Sequence, residues 1–142
     1  MKKCDVIVDL QFGSTGKGAI AGYLANQTNY DVAVSANMPN AGHTFIDHLG
    51  QKMVHKVLPS ALASGTNTAL LAPAAVFSMD QLVKELHALE DFGYTEKLVC
   101  IHEHATLLTE NHKIEETFAR PGSVDLNSYQ RIGSTQHARP PP

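Results

Sequence analysis

The alternation of short apolar runs with amphipathic stretches predicts strands and helices in turn along this chain. Apolar and β-branched runs of four to eight residues between turn-forming residues are typical of strands. The strands predicted in this way are Cys4–Gln11, Tyr30–Ala36, Thr68–Leu71 and Leu98–His102, with a hairpin formed by Thr44–Asp47 and Lys52–Val57. The first of these runs is apolar enough to predict a buried strand.

Helices are predicted between these strands. The clearest is capped by Ser78 or Asp80, carries apolar residues at helical spacing and ends near Gly93. The apolar residues at that spacing are Leu82, Val83, Leu86 and Leu89; the acidic residues Glu85, Glu90 and Asp91 are expected on its solvated face. Further helices are predicted at Lys17–Asn26 and Leu107–Phe118. Strands that alternate with helices indicate an α/β fold with a parallel sheet.

Composition limits the class of protein. The chain has 142 residues, 43% of them hydrophobic, which suits one domain with a packed core. Its net charge of −3 gives no sign of nucleic-acid binding, and no stretch is long and apolar enough to predict a membrane span. Lys2-Lys3 is followed by acidic residues rather than by a signal-peptide core, so a cytoplasmic location is expected. Cys4 and Cys100 are expected to be reduced core residues.

The last part of the chain differs from the rest. Residues 120–142 are poor in aliphatic side chains and end in Pro140-Pro141-Pro142. We therefore predict that residues 1–119 form the amino-terminal part of an α/β domain and that residues 120–142 are a loop-rich segment with an atypical tail.

A glycine-rich segment, Gly13–Gly18, follows the first predicted strand and precedes the first predicted helix. Glycines there let backbone N–H groups converge on an anion, and the helix start and Lys17 add positive charge. A Walker A loop is excluded, since Gly18 rather than Ser or Thr follows Lys17. Gly16–Ala21 fits the dinucleotide pattern G-x-G-x-x-A, but no acidic residue ends the second strand at Asn37. A plain glycine turn is the remaining alternative.

A second segment, Asn40–Thr44, places His43 beside Gly42 on the loop after the second strand. A phosphate cradle combined with a loop histidine indicates phosphoryl transfer. Another histidine pattern, Cys100, His102 and His104, alternates at a strand end. It allows a metal site, but ordinary polar residues at the end of a strand explain it better.

These segments together resemble the adenylosuccinate synthetase family. Asp9–Gly18 is similar to that family's amino-terminal phosphate loop, and Asn40–Thr44 matches its second signature without change. His55–Ser60 resembles the strand and turn that follow, and Ile132–Thr135 a later phosphate-contacting loop. The resemblance implies an α/β, P-loop-like nucleotide-binding fold, centred on a parallel sheet with a small β-hairpin, of which this chain is an amino-terminal fragment.

The resemblance also implies a set of site residues. The catalytic residues are Ser14 and His43; the nucleotide phosphates are bound by Ser14, Thr15, Gly16, Lys17, Gly18, Gly42, His43 and Thr44. Mg²⁺ is the implied cofactor, with Ser14 and Gly42 as its ligands. The purine nucleotide is contacted by Ser14, Asn40, Ser134 and Thr135. His43 is expected to stabilise the phosphoryl group during transfer.

The sequence departs from the usual family pattern at one decisive position. The family's catalytic aspartate, which removes the purine N1 proton, aligns with Ser14, and the neighbouring acid aligns with Thr15. A serine hydroxyl is a much poorer base than a carboxylate. The pattern resembles the family's phage branch, whose members join dGMP and L-aspartate with ATP or dATP to supply 2-aminoadenine for DNA.

Two alternatives remain open at this point. One is an ordinary adenylosuccinate synthetase that uses IMP, aspartate and GTP; the other is a non-catalytic nucleotide-binding remnant. The segment after Thr135 does not continue the family pattern, so a truncated or frameshifted copy is expected, with a homodimer as the assembly of a complete member.

Overall fold

The structure is a computed structural model and describes residues 3–11, 15–39, 41–47, 49–64, 66–95 and 97–112. The helices are α1 (Lys17–Gln27), a short 3-10 helix (Ser60–Ala63) and α2 (Met79–Asp91). The strands are β1 (Val32–Ser35), β2 (His43–Ile46), β3 (Lys52–His55), β4 (Thr68–Leu71), β5 (Val76–Phe77), β6 (Leu98–Ile101) and β7 (Thr106–Leu107).

A parallel sheet with the strand order β1-β4-β6 forms the centre of the described fold. Val32 pairs with Thr68, and Thr68 pairs in turn with Leu98, so the three strands run in register. Parallel strands require long crossover connections, and α2 lies in the one between β4 and β6. The α/β class with a parallel sheet and a β-hairpin (β2-β3) is therefore confirmed.

The hydrophobic core lies between the sheet, the hairpin and the two helical segments that follow the hairpin. Its largest fully buried apolar side chains come from four different elements or turns: Leu58, Leu62, Leu71 and Leu89. Phe45 and Met53, a cross-strand pair of the hairpin, complete the side that faces α1. Burial of this apolar surface provides the main stabilisation of the fold.

Helix α1 packs against the hairpin through small residues. An added Cβ at Gly22 would lie 2.2 Å from a ring atom of Phe45, and one at Gly18 would lie 2.5 Å from Cβ of His43. These two glycines are one helical turn apart, and Ala25 continues the same buried face. Close approach of α1 to β2 therefore depends on the absence of side chains at positions 18 and 22.

Helix α2 begins and ends as the sequence predicts. Ser78 is its N-cap, with its hydroxyl accepting the N–H of Gln81 at 3.3 Å, and Gly93 follows the helix with φ of 83°. Leu82 and Leu89 are buried. The exposure of Val83 shows that the buried stripe is narrower on that side than predicted.

Glu85 contradicts the prediction of a solvated acidic face. It is only 3% exposed, whereas Glu90 and Asp91 are exposed as predicted. The physical reason is its spacing: it lies three residues after Leu82 and four before Leu89, and therefore within the buried stripe of α2. Its carboxylate is buried because backbone N–H groups bind it there.

The prediction of a buried first strand is wrong. Residues 3–11 have no strand pairing, and Val6, Val8 and Leu10 are 77%, 69% and 98% exposed. In the described part of the chain the parallel sheet ends at β1, and its outer edge bonds no further strand. An apolar run becomes a buried strand only where a sheet edge pairs with it and another layer covers it.

Other boundaries also differ from the predictions. Cys4 and Cys100 are free but exposed, because one lies in the unpaired segment and the other on edge strand β6. Leu107 belongs to strand β7, and helical residues begin only at position 110, because Thr106 and Leu107 pair with β5. The remainder of that predicted helix and the segment 120–142 lie outside the described residues.

Candidate phosphate-binding site

The start of α1 has the geometry of an anion site. Gly16 adopts the left-handed conformation with φ of 84°, and its carbonyl accepts the N–H of Ile20 at 3.1 Å. No described side chain caps this helix, and its first turn contains no acidic residue. The first N–H groups of a helix have no partner within it, so an anion can accept hydrogen bonds from them here.

Lys17 and Thr15 both contact the carboxylate of Asp9. The Lys17 ammonium pairs with one oxygen, and the Thr15 hydroxyl donates to the other. The Asp9 side chain is mostly covered, so the pair is partly shielded from water. A phosphate bound at the start of α1 would compete with Asp9 for the ammonium of Lys17.

The two sequence motifs meet at Gly18. An added Cβ there would lie 2.5 Å from Cβ and 3.0 Å from Cα of His43, and 2.9 Å from the hydroxyl oxygen of Ser60. His43 begins strand β2, and Ser60 begins the 3-10 helix. The first turn of α1 therefore packs closely against His43 and a buried serine. Sequence analysis assigned Gly18 and His43 to one phosphate-binding set and gave no site role to Ser60.

His43 lies in a partly buried position beside this helix start. Burial, with a smaller contribution from the Lys17 charge, lowers the pKa of its imidazole. The ordinary histidine pKa is about 6.5, so His43 is neutral at pH 7 and carries one N–H. Its Nε2 has no hydrogen-bond partner among the described residues.

His55 and Ser60 are two buried residues close to His43. His55 pairs with His43 across the hairpin, is 3% exposed, and has its pKa lowered chiefly by burial. Within the described residues, the His55 Nδ1 and the Ser60 hydroxyl have no partner either. Sequence analysis assigned no role to His55. The signal was its place in the hairpin, where antiparallel pairing sets it opposite His43.

An open cavity of about 600 Å³ adjoins the site. Lys17, Gly18, His43 and Ser60 line one part of it, and residues of β1 line another. Binding cavities are typically of this size, largely apolar with a few polar groups. Lys17, the start of α1 and His43 therefore all border the same accessible cavity.

The other predicted site residues divide into two groups. Gly42 lies beside open space, with no atom within 4 Å of an added Cβ. Thr44 follows His43 on β2 and is exposed; because successive side chains of a strand alternate, it points away from the His43 face. The remaining predicted residues, Ser14, Asn40, Ser134 and Thr135, lie outside the described residues.

The histidine pattern after β6 has a simple local explanation. His102 Nδ1 accepts the backbone N–H of His104 at 3.1 Å, and the two rings lie 5.4 Å apart. Across the described residues, no cluster of three or more His, Cys, Asp or Glu side chains is suited to a metal ion. Nor does any helix in the described ranges have the length and apolarity needed to cross a membrane.

Nucleotide phosphate-binding proteins typically combine a parallel α/β sheet with a helix that starts at a glycine. Here Lys17 lies in the first turn of such a helix, and His43 packs against that turn. The sequence profile of the adenylosuccinate synthetase family matches residues 6–138. The chain belongs to the adenylosuccinate synthetase family.

Relatives from phages and bacteria match most of this chain. The N6-succino-2-amino-2'-deoxyadenylate synthase of Vibrio phage phiVC8 is 47% identical over 118 residues, covering 82% of this chain and 34% of the relative. Adenylosuccinate synthetase 2 of Pseudoalteromonas translucida is 33% identical over 112 residues, covering 79% of this chain and 26% of the relative. This chain thus spans about a third of the length of the curated relatives it matches.

A solved structure supports the same fold. The succinoaminodeoxyadenylate synthetase of cyanophage S-2L, bound to dGMP and to dATP as an energy donor, superposes with a TM-score of 0.65 at 37% identity. The match covers 78% of this chain and 31% of that one. The P-loop-like α/β fold expected from the family resemblance is confirmed for this amino-terminal part.

Proposed function

We propose that this chain supplies the phosphate-binding part of a ligase that joins dGMP to L-aspartate with hydrolysis of ATP or dATP. The product is N6-succino-2-amino-2'-deoxyadenylate, a precursor of 2-aminoadenine in DNA. One observation carries the proposal: four phage synthases with this name are 38–47% identical to the chain, against 30–33% for four adenylosuccinate synthetases.

In this proposal the donor phosphates bind at the start of α1. The N–H groups of Gly18 and its neighbours, the Thr15 hydroxyl and the Lys17 ammonium bind the phosphate oxygens, and Thr44 contributes through its backbone. His43 donates its N–H to the oxygen between the β- and γ-phosphates, where charge accumulates during transfer. The lowered pKa of His43 suits this role, because a neutral imidazole keeps one N–H at pH 7.

Mg²⁺ is the cofactor proposed for this site, and the open space beside Gly42 leaves room for the ion. Mg²⁺ is bound through one or two protein oxygens together with substrate phosphates and water. Gly42 borders open space beside His43, and the carboxylate of Asp9 contacts Thr15 at the other side of the phosphate loop. We propose the Gly42 carbonyl and Ser14 as ligands. When bound, the ion would neutralise charge that develops on the phosphates.

The purine site is assigned from the family pattern. We propose that Ser14, Asn40, Ser134 and Thr135 contact the purine nucleotide. A serine in place of the family's aspartate leaves room for the 2-amino group of guanine, which adjoins N1. Residues beyond this chain would bind aspartate, and a complete protein is proposed to be a homodimer.

The test compares two purine nucleotides under identical conditions. This chain is fused in place of the matching segment of the Vibrio phage phiVC8 synthase, which supplies the remaining two thirds. Formation of the succinyl product is then measured with dGMP or IMP, each with aspartate and with ATP, dATP or GTP. The proposal predicts the highest kcat/KM for dGMP with ATP or dATP. A preference for IMP with GTP would reject it.

An ordinary adenylosuccinate synthetase is the second candidate function. Bacterial enzymes of that name match 76–92% of this chain at 30–33% identity. The same assay separates the two, because that candidate requires IMP and GTP to be the better pair. A Thr15 and Ser14 pair in place of two acids favours the phage branch.

A further inference from the structure

The buried carboxylate of Glu85 binds three consecutive backbone N–H groups. Lys56 donates to Oε1 at 2.7 Å, and Leu58 donates to Oε2 at 2.9 Å. The N–H of Val57 lies between them, 3.2 Å and 3.1 Å from the two oxygens. Helix α2 thereby supplies the acceptors for a turn that is 27–29 residues away in sequence.

A fourth donor completes the environment of Glu85. The side-chain amide of Gln81, one helical turn earlier, donates to Oε1 at 2.9 Å. A carboxylate has about four acceptor positions, so these bonds nearly satisfy it. Burial of an unsatisfied charge would be costly. The pairing is therefore specific, and sequence analysis missed it because the three donors are backbone groups that carry no residue signature.

The turn that Glu85 binds connects two groups of the phosphate site. Immediately before it, His55 pairs with His43 in the hairpin register. Shortly after it, Ser60 lies against the first turn of α1 at Gly18. Both side chains are buried, so the 56–58 turn links the residue paired with His43 to the residue beside Gly18.

We propose that Glu85 is a positioning residue: by binding the 56–58 turn, it fixes His43 against the start of α1. Only the expected effect on turnover rests on the proposed function; the effect of Glu85 on the position of His43 does not. The charge of Glu85 also acts on both histidines, partly offsetting the lowering of pKa caused by burial. Glu85 contacts no substrate in this scheme; it acts through His55 and the turn.

The test uses three variants and a matched control in the 142-residue chain. Glu85→Gln preserves the size of the side chain but places an NH₂ group against N–H donors. Glu85→Asp retains the carboxylate, and Gln81→Ala removes only the hydrogen bond from the Gln81 amide to Glu85 Oε1. Glu90→Gln, an exposed glutamate on the same helix, is the control. The imidazole nitrogen resonances of His43 are recorded by ¹H–¹⁵N NMR at fixed pH, along with thermal unfolding.

The expected result separates positioning from simple stabilisation. In Glu85→Gln the His43 and His55 imidazole resonances shift, while His87 and His112 remain unchanged; Glu85→Asp and Gln81→Ala give smaller shifts, and Glu90→Gln gives none. Unmoved His43 resonances in a folded Glu85→Gln or Gln81→Ala protein would overturn the proposal. If Glu85→Gln does not fold, Glu85→Asp and Gln81→Ala decide by the same criterion.

Turnover adds a second, independent readout. In the phage chimera, Glu85→Gln is expected to lower kcat at least tenfold per active site, with KM for dGMP changed less than threefold and partial recovery in Glu85→Asp. A loss confined to the amount of folded enzyme would contradict positioning. If the unmutated chimera is inactive with every nucleotide pair, the proposed function fails, but the NMR result still decides the role of Glu85.

Discussion

Replacement of Gly18 by alanine should destabilise the fold at the point where the two motifs meet. The new Cβ would lie 2.5 Å from His43 Cβ, 2.9 Å from Ser60 Oγ and 3.0 Å from His43 Cα. Two of these three atoms belong to the His43 Cα–Cβ bond, which cannot rotate away as the end of a flexible side chain does. Relief of the overlap therefore requires α1 and β2 to separate by several tenths of an ångström.

The magnitude follows from two opposing effects. Overpacking by one methyl group in a close-packed interior costs about 1–3 kcal/mol. Alanine gains at most about 1 kcal/mol over glycine from helix propensity. Because backbone atoms resist the shift, the packing cost should be near the upper end of its range. The net loss in free energy of unfolding should then be about 2 kcal/mol, or roughly 6–8 °C in Tm for a chain of this size.

Thermal and urea unfolding of the 142-residue chain, followed by circular dichroism, measures this loss. Gly42→Ala is the matched control for stability, because an added Cβ there meets no atom within 4 Å. Its free energy of unfolding should change by less than about 1 kcal/mol. Gly18→Ala stability equal to or above that of the unmutated chain would refute the close contact between α1 and β2.

Four further predictions concern the site. Lys17→Ala should weaken ATP binding or abolish turnover in the chimera. If the ATP affinity measured by calorimetry and the turnover rate both stay unchanged, Lys17 does not bind the phosphates. His43→Asn should leave KM near normal but lower kcat by orders of magnitude in steady-state assays; an intact kcat would make His43 an ordinary loop residue. Ser14→Asp should shift kcat/KM from dGMP toward IMP, with a tenfold shift corresponding to about 1.4 kcal/mol, and product assays with both nucleotides test it. Burial lowers the pKa of His55 in the folded chain, so as pH falls His55 is protonated in the unfolded chain before it is protonated in the folded one. The free energy of unfolding should therefore decrease as pH drops below about 6.5. His55→Gln should weaken that pH dependence, and an identical slope in both proteins would contradict the assignment.

The sequence by itself determined those helices and strands whose ends are set by residues within a few positions. The bounds of β4 agree with the prediction, α1 begins at Lys17 as predicted, and α2 is capped by Ser78 and followed by a left-handed Gly93. Cap hydroxyls, positive-φ glycines and apolar periodicity act within a few residues. The glycine–lysine loop and the loop histidine were also identifiable, since their chemistry is carried by adjacent residues.

Tertiary structure decided the features that depend on distant partners. The apolar run at Cys4–Gln11 lacks a paired sheet edge and stays exposed, although its composition is that of a strand. Glu85 lies in the core, although its charge predicts a solvated face, because three N–H groups of a turn 27–29 residues away satisfy it. Burial of a polar group depends on whether the fold brings hydrogen-bond partners to it, and local composition does not determine that.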